Sequence, residues 1–264
     1  MASPNGTRRA ATARERVRAE LSREIKEEAR RQLAASGADG LSLRAVAREL
    51  GMVSSALYRY YPSRDDLLTA LIIDAYNALG AAAEDAIAAG QAGAARDRWT
   101  AACHAVRGWS LANPHEYALI YGSPVPGYRA PEATIGPAAR VPLAFAGVLR
   151  DALASGEIGG AAGGAAGGGA GGEAGGVLPV TGQLAEQAAA LSAALAPSVP
   201  APAALPPDLL VRAVIAWTQL FGMISFELFG QFVGSFEPAD ALFGHAAEQL
   251  AAFVGLTRGG QPRQ

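Results

Sequence analysis

Side chains that hold metals or form disulfides are scarce in this chain of 264 residues. Its single cysteine, Cys103, has no partner for an internal disulfide. Its three histidines, His104, His115 and His245, do not combine with that cysteine in any metal-binding spacing. We therefore expect no bound metal and no cofactor.

Long apolar segments are also missing. No uninterrupted apolar run reaches the ~18 residues that a membrane span needs, and no apolar secretory core follows the Arg-rich N-terminus. These absences predict a cytoplasmic protein with no membrane partner. Aromatic residues make up only 7% of the chain, while 50% of it is hydrophobic and much of that is alanine. Such a composition favours an all-α fold.

The charges are unevenly distributed. Residues 1–64 contain 13 Arg or Lys and 7 Asp or Glu, a net charge of +6, whereas the remaining 200 residues contain 9 and 17, a net charge of −8. A basic head on an acidic body indicates that the head meets a polyanion such as nucleic acid. The alternative is a solvated charged helix, because residues 14–31 interleave their basic side chains with five glutamates.

The sequence from Ser42 to Leu67 has the signals of a helix-turn-helix. Ser42 is a natural N-cap for a first helix, and Gly51 provides the positive φ of a tight turn. A second short helix is expected over residues 54–60, which would lie in a DNA major groove about 12 Å wide. The alternative is a helical hairpin of an ordinary α-domain. The outward side chains of the second helix are Ser54, Ser55, Tyr58 and Arg59.

Signals along the chain predict three regions. Residues 1–13 form a disordered basic arm, residues 14–78 a three-helix head with its helix-turn-helix at about 42–61, and residues 79–256 a larger helical domain. A linking helix from Arg64 to about Ala89 joins head and body. Residues 156–176 contain 12 of the 32 glycines and cannot recover their ordering entropy, so we expect a disordered loop there. No strand precedes this segment, which excludes a phosphate-binding loop.

Helical patterns divide the body further. Helix 208–232 is apolar on more than one face, which implies burial on two sides. We interpret the second side as the interface of a homodimer formed by the last two helices. The alternative is a helix buried inside a monomer. The expected helices cover residues 12–36, 94–112, 114 onward behind an Asn113 N-cap, 138–154, 181–195, 208–232 and 238–254, with a stiff proline linker over 197–207.

The head resembles the TetR (tetracycline-repressor-like) family of bacterial transcriptional regulators. The match is close over about residues 18–76, and its most specific parts are LSLRAVARELGM and ALYRYYPSRDDLL. The resemblance implies a homodimer that binds operator DNA through its head and a small ligand through its body. By position, it implies base contacts from Arg44, Ser54 and Ser55. It also implies backbone-phosphate contacts from Ser42, Tyr58, Tyr60 and Arg64.

Two segments of the body, WSLANPHEYALIYGSPVPGYRAP and WTQLFGMISFELFG, resemble the regulatory domain named for a Trp-His-Gly (WHG) pattern. Phe221 occupies the place of the histidine, which predicts a mainly apolar pocket and a small hydrophobic effector. Glu227 needs a partner if it is buried, so it binds a ligand group, pairs with an arginine or faces solvent. The candidate ligand-binding residues are Trp109, Tyr117, Tyr121, Trp217, Phe221 and Glu227. Other aromatic residues suited to a pocket are Trp99, Tyr128, Phe145 and Phe226.

The pattern as a whole favours a ligand-responsive, DNA-binding regulator that is not an enzyme. It would be a repressor that binds a near-palindromic operator as a dimer and is released by its ligand. The alternative is a helical small-molecule carrier or enzyme whose basic head docks on a partner. Ser110, His104 and Glu116 have the residue types of a hydrolase triad, but no nucleophile-elbow motif surrounds the serine.

Overall fold

A computed structural model describes residues 4–158, 179–195 and 205–256 of the protein. Within these ranges the chain forms ten α-helices and no strand, apart from one isolated antiparallel bridge between Ile158 and Leu256. The predicted all-α fold is confirmed. The helices are α1 (Pro4–Ser36), α2 (Leu43–Glu49), α3 (Ser54–Leu57), α4 (Arg64–Ala89), α5 (Ala95–Ala112), α6 (Pro114–Tyr121), α7 (Ile135–Ser155), α8 (Gly182–Leu195), α9 (Pro207–Leu228) and α10 (Asp240–Phe253).

The residues fall into two compact units. The first consists of Met1–Asn77 and Asn113–Ala138, and the second of Ala78–Ala112 and Ala139–Gln264. Helix α4 contributes residues to both. The sequence assigned segment 113–138 to the C-terminal domain, but the contacts of this segment lie with the first unit.

The core of the first unit is built on α1. Its buried stripe of Ile25, Ala29 and Leu33 packs in one cluster with apolar residues of α2, α3 and α4. These residues recur every four positions, which is the spacing of one face of a helix. Apolar side chains that join one continuous cluster hold the head together without a metal or disulfide among the described residues.

The turn between α2 and α3 follows the sequence signals. The Ser42 hydroxyl accepts a hydrogen bond from the backbone N–H of Ala45 at 3.4 Å, so it caps α2 as expected. The side-chain oxygen of Gln32 in α1 accepts from the backbone N–H of Ser42 at 3.3 Å. Gly51 has a φ of +64°, which a residue with a Cβ adopts only at a cost. The helix-turn-helix is therefore fixed at both ends of α2.

Ion pairs explain why α6 belongs to the first unit. Arg30 of α1 donates to Asp74 of α4 and to Glu116 of α6, each at 2.9 Å. Lys26 lies 2.7 Å from the same Asp74 carboxylate. Arg30 and Glu116 are 86 positions apart in sequence, so no local pattern could reveal this connection.

In the second unit, α5 packs against α9 and α10. Arg107 of α5 is almost buried and donates to Glu227 of α9 at 2.7 and 2.5 Å. It also donates to Asp240 of α10 at 3.0 Å. Its guanidinium lies 5.0 Å from the centroid of the Phe243 ring, also in α10. One arginine therefore joins three helices.

Several helix boundaries differ from the prediction. Helix α1 begins at Pro4 rather than near residue 12, since residues 8–11 are the strong helix formers arginine and alanine and a proline is tolerated in the first turn. Helix α3 ends at Leu57 rather than residue 60, and α7 begins at Ile135 rather than residue 138. Helix α9 ends at Leu228 rather than residue 232. The predicted Gly-rich loop 156–176 and proline linker 197–207 lie mostly outside the described residues.

Two helices, α4 and α9, are long and apolar enough to cross a membrane by length and composition alone. Charged residues such as Asp74 and Arg212 interrupt both, so neither contains an uninterrupted apolar run of membrane length. Core helices of soluble proteins share this length and composition. The most apolar stretches of α4 and α9 are 44% and 39% buried within the protein.

Candidate DNA-binding face and ligand cavity

The outer face of α2 and α3 carries the residues that the sequence singled out for base contact. Arg44 at the start of α2 is exposed, as are Ser54 and Ser55 at the start of α3. Tyr58, directly after α3, is also exposed. Leu57 is fully buried and fixes which side of α3 faces the core. Helix-turn-helix proteins reach base edges from the N-terminal residues of their second helix, so this exposure fits DNA contact.

The predicted phosphate-binding residue Arg64 already has partners within the first unit. Its guanidinium donates to the backbone carbonyls of Ala38 at 2.7 Å and Leu41 at 3.3 Å. Ser42, the other such residue in this region, uses its hydroxyl as the cap of α2. Arg64 therefore holds the segment that leads into α2, in addition to any phosphate contact.

The tyrosines that follow α3 face α1. The guanidinium carbon of Arg18 lies 5.4 Å from the centroid of the Tyr60 ring, a cation–π contact. The Tyr61 hydroxyl lies 2.8 Å from the hydroxyl of Ser22. Tyr60, predicted to bind phosphate, is thus half-buried beside a cation of α1, whereas Tyr58 is 42% exposed.

Val53 is a further candidate for DNA contact that the sequence did not predict. It is the N-cap residue of α3, its side chain is 69% exposed, and it makes no capping hydrogen bond. Valine is among the poorest N-cap residues. An exposed apolar side chain next to Ser54 and Ser55 is suited to the methyl group of a thymine in the major groove. The available signal was a valine at a position where a serine or threonine would cap the helix.

An apolar cavity of about 360 Å³ lies within the second unit. Residues of α5, α7, α8 and α9 line it, together with Leu205. The Trp99 ring on its wall meets Phe145 edge-on, with 4.7 Å between centroids. This volume is in the range of small-molecule sites, which are mostly apolar. The aromatic side chains of the wall are Trp99, Phe145 and Trp217.

The predicted ligand-binding residues belong to two different units, and few of them line the cavity. Trp217 lines the cavity, while Trp109 and Phe221 lie in the same unit but not on the cavity wall. The Phe221 ring is 5.5 Å from that of Trp217. Tyr117 and Tyr121 belong to the first unit instead. Trp217 is therefore the predicted residue that the geometry supports.

In the first unit, Tyr117 and Tyr121 form an aromatic cluster with Tyr76. The centroid distances from Tyr121 are 5.3 Å to Tyr117 and 6.0 Å to Tyr76. Tyr117 is fully buried. Burial raises the pKa of Tyr121 well above that of a free tyrosine, so its hydroxyl stays neutral.

Glu227 pairs with an arginine, one of the three alternatives that its sequence left open. Both of its carboxylate oxygens accept hydrogen bonds from Arg107, and its side chain is 16% exposed. This pairing raises the pKa of Arg107, which stays a cation. Glu227 is engaged in holding α9 to α5, so the prediction that it binds ligand has no support in this geometry.

The outward face of α9 carries exposed apolar residues together with the exposed polar residues Thr218 and Gln219. Ile215 is 43% exposed and Phe226 is 55% exposed, on the same side as the exposed Gly222. Gly222 and Phe226 also line a shallow notch of about 300 Å³ that Phe232 helps to close. A Cβ atom placed on Gly222 would meet no atom within 4 Å. This face could therefore accept another helix closely.

An exposed helix-turn-helix in one unit and an apolar cavity in the other define a DNA-binding regulatory protein. Residues 25–71 match the family model for bacterial regulatory proteins of the tetR family, and residues 99–250 match that for the tetracyclin repressor-like C-terminal domain. The protein belongs to the tetR family. Neither match names the Trp-His-Gly pattern, so that subtype stays a prediction.

Individual relatives agree with this assignment. The helix-turn-helix transcriptional regulators Rv1816 of Mycobacterium tuberculosis and Mb1846 of Mycobacterium bovis are each 48% identical over 147 residues, which is 54% of this chain. The match spans 61% of the length of those relatives. The crystal structure of SCO4313 covers 90% of this chain and 98% of its own, with a TM-score of 0.65 and 34% identity.

A tetR-family regulatory protein from Rhodococcus RHA1 shares the fold, with a TM-score of 0.52 over 90% of this chain and 98% of its own, at 15% identity. The matched family models describe regulators, and the curated relatives are named as regulators of transcription. The protein is therefore a member of a regulator family rather than an enzyme.

Proposed function

We propose that this protein is a dimeric repressor that binds a near-palindromic operator and releases it when a small hydrophobic molecule binds. The observation that carries the proposal is the exposed face of Arg44, Ser54, Ser55 and Tyr58 on a head that matches the tetR family. Its partners would be double-stranded operator DNA, the effector and a second copy of the chain. It would act in the cytoplasm and would not need a membrane.

The chemistry of the head supports DNA binding. Arginine is the side chain that most often reads guanine, through two hydrogen bonds in the major groove, and Arg44 is exposed to do so. The net charge of +6 on residues 1–64 attracts the phosphate backbone. Arg64 supports the same surface indirectly, because its bonds to Ala38 and Leu41 fix the start of α2.

The exposed apolar residues of α9, among them Ile215 and Phe226, support a homodimer. Exposed apolar faces mark association surfaces, and a two-fold dimer buries the same face on both copies. We propose that α9 and α10 pack on their symmetry mates as a four-helix bundle. The two heads then occupy half-sites about one helical turn apart, ~34–36 Å, or slightly further.

The cavity of the second unit supports a hydrophobic effector. None of the described residues on its wall is charged, so an ionic ligand would find no partner for its charge among them. Helix α4 has residues in both units, and this covalent continuity is the route that we propose for coupling. A coupling of ~1–3 kcal/mol would release most of the bound protein.

The first experiment uses DNA from upstream of the protein's own coding sequence. We expect tighter binding to this DNA than to a random duplex of equal length, and a steep loss of affinity as salt is raised, measured by fluorescence anisotropy. Equal and salt-independent binding to both duplexes would contradict the proposal. It would favour a carrier or enzyme whose head docks on another partner.

The second experiment tests effector release. Compounds that raise the melting temperature of the protein are tested for operator release, and their affinities are then measured with and without operator. Linkage requires that operator weakens ligand binding by the same factor as ligand weakens operator binding. Identical ligand affinities with and without operator would contradict the proposed release mechanism.

A further inference from the structure

Helix α7 contains a proline in its interior. The helix runs from Ile135 to Ser155, and Pro142 lies two turns after its start. Because proline has no backbone N–H, the carbonyl of Ala138 cannot receive the hydrogen bond that residue 142 would otherwise donate. Proline is the least favourable residue in a helix interior, and sharp helix bends are mostly found at prolines. Residues 138–142, which we call the proline turn, are therefore a place where α7 bends at low cost.

The proline turn forms part of the cavity wall. Pro142 lines the cavity, as do Ala139 within the same turn and Leu143 directly after it. Residues three and four positions apart lie on one face of a helix, so a single face of α7 carries these contacts. The wall continues along α7 through Phe145 and Ala146. A molecule that fills the cavity therefore packs against α7 both before and after the missing hydrogen bond.

The residues that precede the proline turn are attached to the head. The division between the two units falls inside α7, after Ala138, so α7 contributes residues to both, as α4 does. In the segment that leads into α7, the Tyr128 hydroxyl lies 2.9 Å from the hydroxyl of Thr69 in α4. Val125 of the same segment packs against the core cluster of the head. The chain thus runs without interruption from the cavity wall to residues held on the head.

We propose that the proline turn of α7 is a hinge through which a molecule in the cavity acts on the head. This inference rests on the proposed function, because it takes the cavity to be the effector site. A bound molecule packs against Ala139, Pro142 and Leu143 and selects one bend of α7. The bend displaces the start of α7 and the segment that carries Tyr128, which is bonded to α4. Pro142 is the positioning residue of this route, which acts alongside the covalent path through α4.

The missing hydrogen bond is what makes the hinge sensitive to a ligand. A fully hydrogen-bonded helix resists bending, because a sharp bend lengthens or breaks backbone bonds. At the proline turn that bond is already absent, so two bends of α7 differ less in free energy. A ligand shifts an equilibrium only by the difference between its affinities for the two states. A small free-energy gap between the bends therefore lets a modest difference in affinity change their populations.

Pro142→Ala restores the missing backbone bond, and Pro137→Ala is its matched control. Pro137 lies in the first turn of α7, where an N–H has no acceptor inside the helix and proline is tolerated. Both substitutions increase the freedom of the unfolded chain alike. We expect hydrogen exchange of the full-length protein to become about tenfold slower across residues 139–146 in Pro142→Ala, the effect of one good hydrogen bond, and to change little in Pro137→Ala. Mass spectrometry without added ligand measures it.

Diphenylmethane is the probe for coupling, because it is uncharged and has no polar atom to pair on an apolar wall. In the unmodified protein we expect calorimetry to show binding weakened about fivefold or more by DNA from upstream of the coding sequence. This ratio should fall by about three- to tenfold in Pro142→Ala and stay unchanged in Pro137→Ala. Leu143→Ala is a second control: it removes a wall side chain and lowers the affinity for diphenylmethane, but it alters no backbone bond, so the ratio should persist.

The outcomes separate this inference from the proposed function. An undiminished ratio in Pro142→Ala, or exchange that is not slowed there, would overturn the hinge and leave the cavity as an effector site coupled through α4. An equal loss of coupling in Leu143→Ala or Pro137→Ala would also overturn it, because wall packing or stability would then explain the result. Equal affinity of the unmodified protein with and without the DNA would overturn the release mechanism together with the hinge. Absence of diphenylmethane binding would overturn the cavity as effector site and the hinge with it.

Discussion

Arg140 and Glu84 form a two-bond ion pair that joins α7 to α4 within the second unit. The Arg140 Nε donates to one carboxylate oxygen at 2.9 Å and its Nη2 to the other at 2.5 Å. The helices approach closely here, because a Cβ on Gly80 would lie 2.7 Å from the Cβ of Arg140. Arg140 directly follows Ala139, which lines the cavity. A change in the cavity wall thus has a short path to the helix shared by both units.

Arg140→Gln and Glu84→Gln each remove this ion pair, and we expect both to weaken coupling. The pair is partly exposed, so operator affinity alone and ligand affinity alone should change by only about twofold. The coupling free energy between a releasing ligand and operator should fall by ~0.5–2 kcal/mol. Arg150→Gln, in the same helix and bonded to the adjacent Asp151, is the control. Full ligand-induced release in all three variants would contradict this role.

Arg44 and Arg64 should have different effects on DNA binding. Arg44→Ala removes an exposed side chain from a base edge, so we expect a loss of roughly 1–3 kcal/mol on operator and a relaxed base preference. Arg64→Ala should weaken all sequences alike and flatten the salt slope by about one unit.

Because the Arg64 guanidinium bonds to Ala38 and Leu41, Arg64→Ala should also lower the melting temperature, whereas Arg44→Ala should not. Anisotropy titrations on operator and random DNA, with calorimetric melting of each variant, test both statements. If both variants lose the same amount of affinity for operator and for random DNA, the distinction between the two arginines is wrong.

Val53→Ser should have opposite effects on stability and on DNA binding. Serine caps α3 where valine cannot, so stability should rise by about 1 kcal/mol. Loss of the valine methyls should weaken operator binding, and the variant should no longer respond when deoxyuridine replaces a contacted thymine. Val17→Ser, at another exposed valine, should change neither property much. A variant that still discriminates thymine from deoxyuridine would exclude the methyl contact.

Gly222→Leu should convert the dimer to a monomer without unfolding it. A Cβ at this position meets no described atom within 4 Å, and the leucine side chain would fill the space where we propose that a partner helix packs. Gly108→Leu is matched, because Gly108 is also exposed, helical and free of neighbours around its Cβ position. Analytical ultracentrifugation at micromolar concentration should show monomers for the first variant and dimers for the second. A monomeric unmodified protein, or a dimeric Gly222→Leu, would disprove this interface.

Cys103 should give the protein a specific loss of stability in alkali. Burial raises the pKa of its thiol far above the ordinary value of 9.0. Above that pH the unfolded chain releases a proton that the folded chain retains, so the free energy of unfolding falls as pH rises. Urea unfolding at pH 8 and pH 10 should therefore show a smaller decrease for Cys103→Ala than for the unmodified protein. Rapid alkylation of native Cys103 at pH 8 would contradict its burial.

Local signals were sufficient to predict most of the helices. Helix α4 runs from Arg64 to Ala89 as predicted, and the Ser63 hydroxyl caps its first turn by accepting a hydrogen bond from the backbone N–H of Asp66 at 3.1 Å. Helix α9 was predicted too long because apolar residues continue through Phe229 and Phe232. The chain nevertheless turns at Gly230, where φ is +76°, so backbone geometry outweighed hydrophobic spacing.

Whether a residue belongs to a predicted site depended on contacts with residues that are distant in sequence. Helical spacing placed Ser54 and Ser55 on the outer face of the head, the family resemblance pointed to Arg44, and the structure leaves all three exposed. Glu227, however, is bonded to an arginine 120 positions away, and a sequence alone does not show which buried charges meet. Tyr117 and Tyr121 were grouped with the body because only the contacts of folded α6 assign them to the first unit.

The joining of three helices by Arg107 has a consequence for how subunits come together. Since Glu227 and Asp240 bond to the same guanidinium, α9 and α10 are already held in a fixed relation before any partner arrives. Association between rigid, preformed surfaces loses little conformational freedom, which favours slow dissociation. Copies of this chain that have paired should then stay paired through many cycles of DNA binding. Subunits of related regulators in the same cell would seldom be exchanged for them.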